Sequence, residues 1–204
     1  MFVYDLHHIW VVTDDGYVYF SDDGAVTWTA QESGVITAGN LNAIHMIDDL
    51  TGIIGGAANI LATTINGSNW SVITGPVAEA GNAVLSVAAI DKFRFWITYD
   101  SGTIYFTNDG GATWEARSLW AGAGTGSVDC VRFTGEYSGW FIHNTAAPIG
   151  YVFHTINGGY DWELITPYVA NAGFNDIHVI DENNAYVVGN AYGGTAVILK
   201  VFAG

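Results

Sequence analysis

Basic residues are scarce in this chain. Its 204 residues hold five Lys and Arg against 20 Asp and Glu, a formal net charge of −15. That balance repels phosphate backbones and anionic bilayers, so no nucleic-acid partner and no membrane insertion are expected. Proline is equally sparse, at three residues. The single cysteine, Cys130, allows no intrachain disulfide, and within VDCVRF it reads as a small core thiol. No apolar run approaches the ~18 residues of a membrane-spanning helix. The opening MFVYDLHHIW lacks a basic n-region and a small-residue cleavage site, so no signal peptide is expected. Zinc-ligand spacing, a phosphate-cradling loop and a Ser/His/Asp set are also missing, which leaves no expected catalytic residue, metal or cofactor.

What the chain does contain points to strands. Half of the residues are hydrophobic, 14% are aromatic and 26 are glycine, a composition suited to many short strands, tight turns and a sizeable core. Four segments repeat: SDDGAVTW from Ser21 to Trp28, TINGSNW from Thr64 to Trp70, TNDGGATW from Thr107 to Trp114, and TINGGYDW from Thr155 to Trp162. Their starts are 43, 43 and 48 residues apart, the period of a four-stranded propeller blade. The flanks repeat as well, since Asn42–Asp48 matches Asn175–Asp181 and His7–Trp28 matches Phe93–Trp114. Each repeat reads as strand, turn, strand, hairpin, strand, box turn, strand.

The expected fold is therefore all-β, a five-bladed β-propeller in one domain over residues 1–204. Its blades fall at about 1–30, 41–74, 84–119, 128–166 and 174–204. The last repeat stops after its third strand and leaves that blade incomplete. An unpaired edge at Ala196, Val197, Ile198 and Leu199 is a template for strand addition by a partner chain, or else the blunt edge of a three-stranded blade.

The four segments resemble the bacterial neuraminidase or Asp-box repeat, S/T-x-D/N-x-G-x-T-W. The third matches in full through Thr107, Asp109, Gly111, Thr113 and Trp114. The first has Ala25 at the later glycine, and the fourth has Asn157 for the Asp and Asp161 for the Thr. The second is one residue shorter. The resemblance implies turns between third and fourth strands that serve as scaffold. Ser21, Asp23, Trp28, Thr64, Asn66, Trp70, Thr107, Asp109, Gly111, Trp114, Thr155, Asn157, Gly159 and Trp162 are then structural box residues. The carboxylate or amide holds the loop through backbone N–H groups, glycine permits positive φ, and the tryptophan packs over the turn.

Sialidases of this family use three arginines around the substrate carboxylate, a Tyr–Glu nucleophile pair and an acidic proton donor. The three arginines here, Arg94, Arg117 and Arg132, are expected on a second, an outer and a first strand, where they would not converge. A second branch resembles the propeller factor that assists photosystem II assembly. That resemblance implies an arginine-rich patch, for which five basic residues leave little room. Similar repeats recur in phage particle and secreted surface proteins.

The remaining candidates divide between scaffold and site. Asp14-Asp15, Asp22-Asp23 and Asp48-Asp49 read as turn residues, with weak Ca²⁺ binding as the other reading. His45, His178 and Arg132 share a first-strand position, either as packed or solvated residues or as a metal or anion site. Trp10, Trp96 and Trp140 occupy matching second-strand positions and read as core. Trp120, in SLWAGAGTG, is left as the exposed tryptophan and an interface candidate.

No enzyme is expected. The leading expectation is a structural or protein-interaction component of an extracellular assembly or phage virion, with other protein subunits as partners and a homo-oligomer as its form. The alternative is a carbohydrate-binding module using loops at one end of the propeller. A cytoplasmic location is open.

Overall fold

The computed structural model describes residues 1–31, 39–117, 125–145, 149–165, 169–170, 172–191 and 194–204. Trp120 lies outside the described residues. The chain divides into two compact bodies, one of Met1–Ile97 with Thr107–Trp114 and one of Thr98–Phe106 with Glu115–Gly204.

Three repeats form one four-stranded antiparallel sheet each, in chain order. The first holds β1 (Phe2–Val3), β2 (Ile9–Val12), β3 (Val18–Ser21) and β4 (Thr29–Gln31). The second holds β5 (Leu41–Met46), β6 (Gly52–Gly56), β7 (Leu61–Thr64) and β8 (Ser71–Val72). The third holds β9 (Val84–Ala89), β10 (Phe95–Tyr99), β11 (Ile104–Thr107) and β12 (Glu115–Arg117). The boundary between the two bodies passes through this third sheet.

The fourth and fifth repeats share one eight-stranded sheet instead of forming separate ones. Its strands are β13 (Gly126–Phe133), β14 (Gly139–Thr145), β15 (Ile149–Thr155), β16 (Glu163–Leu164), β17 (Val169–Ala170), β18 (Ala172–Asp181), β19 (Asn184–Ala191) and β20 (Ala196–Phe202). The join is local. The linker runs alongside β15, with Ile149 opposite Ala170 antiparallel and opposite Ala172 parallel.

Trp10 and Val18 of the first repeat meet Ile44, Ile54, Ala62 and Trp70 of the second in one buried cluster. Cys130, Trp140, Ile142 and Val152 of the fourth repeat meet Phe174, Ile177, Val187 and Val201 of the fifth in another. Central strands buried on both faces lose the polar–apolar alternation of a one-sided sheet, as in FWITY, where every residue is buried. Trp10, Trp96 and Trp140 are core residues, as their matching positions imply. Burial pushes the Cys130 thiol up to about 11, which makes it an inert packing residue.

Candidate functional site

The box turns come first, because they hold everything beside them. In the first box Asp23 accepts the backbone N–H of Val26 and Thr27 on one oxygen and the Thr27 hydroxyl on the other, at 3.0, 2.8 and 2.6 Å. Asp109 repeats this with Thr113, at 2.9 Å to the amide and 2.6 Å to the hydroxyl. The threonine hydroxyl, then the threonine N–H, hold the carboxyls of Asp23 and Asp109 down at about 2. Such groups stay ionised at neutral pH and have no proton to give. The fourth box inverts the pair: the Asn157 amide donates to Asp161 at 3.0 Å. In the second, Asn66 accepts the N–H of Ser68 and Asn69. All four box residues are thus engaged by hydrogen bonds within their own turns.

A second repeated turn, between the first and second strands, is tied to each box. Asp5 accepts N–H groups from His7 and His8, Asp48 from Leu50 and Thr51, Asp91 from Phe93 and Arg94, and Asp181 from Asn183. The box glycine then donates its N–H to this turn: Gly24 to His7 at 3.1 Å, Gly67 to Leu50 at 2.7 Å, Gly110 to Phe93 at 3.0 Å and Gly158 to Tyr137 at 2.9 Å. These glycines have φ of 75, 72, 75 and 73°, the left-handed region that favours glycine. The repeated Asp at the end of the first strand was visible in the sequence, but this tie was not.

The tie presents large side chains at the turn tips. In the first body Leu6, Leu50 and Phe93 are exposed, as is Ile65 of the second box. Exposed Asp22 and Asp49 lie in the same turns. A small cleft of about 40 Å³ there is lined by Ile47, Thr51, Ile65, Asp91, Lys92 and neighbours. In the second body Tyr137 and Ile156 are exposed and border a cleft of about 210 Å³ with Thr134, Gly135, Glu136, Ser138 and Glu182. Both clefts carry carboxylates, and both are edged by apolar side chains.

The tryptophans do more than cover their own turns. The Trp70 indole donates to the Gln31 side chain at 2.9 Å, and Trp114 donates to the Thr74 carbonyl at 2.8 Å. Each reaches the outer edge of the preceding repeat. At the next seam Arg117, buried, lies 3.7 Å from the Tyr160 ring centroid and pairs with Glu115 at 2.6 Å. Trp28 departs from the pattern and is 40% exposed, against 2% for Trp70 and 7% for Trp162. It therefore joins the exposed aromatics, a role the sequence reserved for Trp120.

The three arginines are engaged with neighbours of their own chain. Arg132 pairs with Asp176 at 3.2 Å, and Arg117 is sealed between rings. Arg94 lies in the turn before β10, not on it, and pairs with Asp91 at 2.7 Å. His7 and His8 likewise precede β2, where His8 binds Asp5 at 2.8 Å and is raised by that bond. Among the described residues no group of three or more His, Cys, Asp and Glu is placed to hold a metal. Ala196 and Ile198 are exposed on β20, while Val197 and Leu199 pack against the buried cluster below.

Against known proteins, the family model described as photosynthesis system II assembly factor YCF48 matches residues 62–193. No curated protein sequence matches the chain. The structure is similar to YCF48 from Cyanidioschyzon merolae, with a TM-score of 0.68 and 16% identity over 96% of this chain and 66% of that one. It is similar to YCF48 bound to a D1 peptide, with a TM-score of 0.52 and 19% identity over 98% of this chain and 76% of that one. It also resembles a GH74 enzyme from Niastella koreensis, with a TM-score of 0.76 and 12% identity over 96% of this chain and 34% of that one. The chain thus spans about two thirds of the algal relative and a third of the GH74 enzyme. At these identities the likeness is one of fold, and it bears out the all-β propeller.

Proposed function

Because the chain belongs to the photosystem II assembly factor YCF48 family, we propose that it is a non-catalytic propeller that works by binding a segment of another protein. The observation that carries this is the repeated turn tip: exposed Leu50 and Phe93 in one body, and exposed Tyr137 in the other, stand at one position of their repeats. Apolar anchors edged by polar groups are the usual make-up of a protein-contact site. A YCF48 structure holds a D1 peptide, and that precedent supports a peptide as the ligand here. The carboxylates beside the tips, and the net charge of −15, favour a segment that mixes Lys or Arg with apolar side chains.

The non-catalytic reading is supported by box carboxylates engaged within their own turns. The acidic, lysine-poor composition supports a setting in an extracellular assembly or phage virion. A synthetic array of short peptides, graded in charge and hydropathy and run beside a glycan array, tests the proposal. Saturable binding of cationic-apolar peptides is expected. Binding of glycans alone would replace it with the carbohydrate-binding reading, which exposed Tyr137 over a cleft with two glutamates favours.

A further inference from the structure

The turn between first and second strands closes on a carboxylate in the first three repeats. Asp5, Asp48 and Asp91 each take two successive backbone N–H groups on a single oxygen, at 2.5–2.8 Å. The donors lie two and three residues further on: His7 and His8, Leu50 and Thr51, Phe93 and Arg94. Asp181 of the fifth repeat accepts from Asn183 in the same way, at 2.9 Å. The fourth repeat has no such carboxylate. The tie from the box glycine marks the matching place, two residues before the carbonyl it binds, and that place is Gly135.

The fourth turn keeps the shape of the others all the same. The Thr134 N–H reaches the Ser138 carbonyl at 3.1 Å, as Ile90 reaches Arg94 at 3.1 Å and Ile47 reaches Thr51 at 2.8 Å. The N–H groups placed to close on a carboxylate are those of Tyr137 and Ser138. Among the described residues neither meets an acceptor. The Ser138 hydroxyl is engaged elsewhere, 3.2 Å from Nε2 of His154. Gly135, Tyr137 and Ser138 all line the cleft of about 210 Å³. A Cβ built on Gly135 meets nothing within 4 Å, so the side from which the other turns bring their carboxylate is open.

We propose that the fourth turn is a carboxylate-binding site, where the N–H groups of Tyr137 and Ser138 donate to a carboxylate supplied by a ligand. The molecule itself gives the chemical class, since the same pair of N–H groups holds an aspartate in the first three repeats. Successive N–H groups of a turn make a concavity for anions, and hydrogen bonds to an ionised acceptor are the stronger kind. Glu136 and Glu182 border the cleft and oppose a bare anion. Asp48 shows that such a pair tolerates an acidic neighbour. It stands next to Asp49, and burial raises its carboxyl, yet the Leu50 and Thr51 N–H groups bring it below the ordinary carboxylate range. The two glutamates therefore select a carboxylate carried beside an ammonium or guanidinium, on a side chain or at a chain end. The site goes beyond the peptide-binding reading and does not rest on it, because a small carboxylate meets the same groups.

Amide NMR on the intact chain tests this with three probes: acetyl-glycyl-lysine with a free carboxylate, acetyl-aspartyl-lysine amide and acetyl-asparaginyl-lysine amide. Saturable shifts of the Tyr137 and Ser138 N–H signals are expected with at least one of the two carboxylate probes. The asparagine probe should bind at least about tenfold more weakly. Binding of the first probe alone makes the ligand group a chain end, and binding of the second alone makes it a side chain. Gly135→Asp places a carboxylate in the turn itself, so it should raise the melting temperature and weaken the carboxylate probes at least about tenfold. Gly135→Ala should bind them as the parent does. Circular dichroism checks folding, with Gly135→Asn as the replacement if the aspartate variant fails it. No saturable shift with either carboxylate probe, equal binding of the asparagine probe, or undiminished binding to Gly135→Asp overturns the proposal. The array peptides take no part in these measurements, so the peptide-binding reading stands or falls separately.

Discussion

Asp23 and Asn157 hold the same place in their turns but close the bridge with opposite polarity. Asp23 accepts from the Thr27 hydroxyl, and Asn157 donates to Asp161. In these two boxes the bridge joins one donor and one acceptor four residues apart, and either order closes it. The carboxyls of Asp23 and Asp109 lie at about 2 in the folded chain, below their ordinary 3.8. The stability they add is present above about pH 4 and is lost as pH falls toward 2. The melting temperature should drop over that window, and an Asp23→Asn, Asp109→Asn double variant should drop less. Ala25 offers a second test. It sits at φ 73° where the third and fourth boxes have Gly111 and Gly159, a conformation that costs an L-residue about 1 kcal/mol. Ala25→Gly should raise stability by about that amount in urea unfolding, and a loss would show that the backbone there is not strained.

At the scale of the element, the box and the first turn form one unit joined by the glycine N–H. A Cβ at Gly67 would collide with the Asp49 carbonyl, and φ of 72° is unfavourable for alanine in any case. Gly67→Ala should therefore cost about 1–3 kcal/mol in equilibrium unfolding, while exposed Ser68→Ala should cost far less. The boxes were legible from one sequence because a period of 43 residues brings Ser21, Thr64 and Thr107 into register. The strands around them followed from near-continuous apolar runs between glycine-containing turns. The tie to the first turn was not legible, because its acceptors are backbone carbonyls of His7, Leu50, Phe93 and Tyr137, four unlike residues. Nor was the exposure of Trp28. Its motif matches that of Trp70, and burial is decided by what lies across the seam. The joining of the fourth and fifth repeats depends on a linker running beside β15, which small polar residues do not announce.

Across the whole molecule, a sparse supply of cations is spent on structure. Arg94, Arg117 and Arg132 each pair with a carboxylate of their own chain, which leaves an acidic surface interrupted by apolar turn tips. A surface of that kind gains its specificity from a partner of opposite charge and its affinity from the side chains that lose water on contact. Binding of a cationic peptide should weaken as salt rises, and binding that is indifferent to salt would mean that the carboxylates play no part. The most direct test of the account is the affinity of the best array peptide for the parent chain and for Tyr137→Ser and Phe93→Ser, by titration calorimetry. About a tenfold or greater loss is expected for at least one variant, with unchanged circular dichroism. Equal affinity for all three proteins would place the contact elsewhere and contradict the assignment of the turn tips as the protein-binding surface.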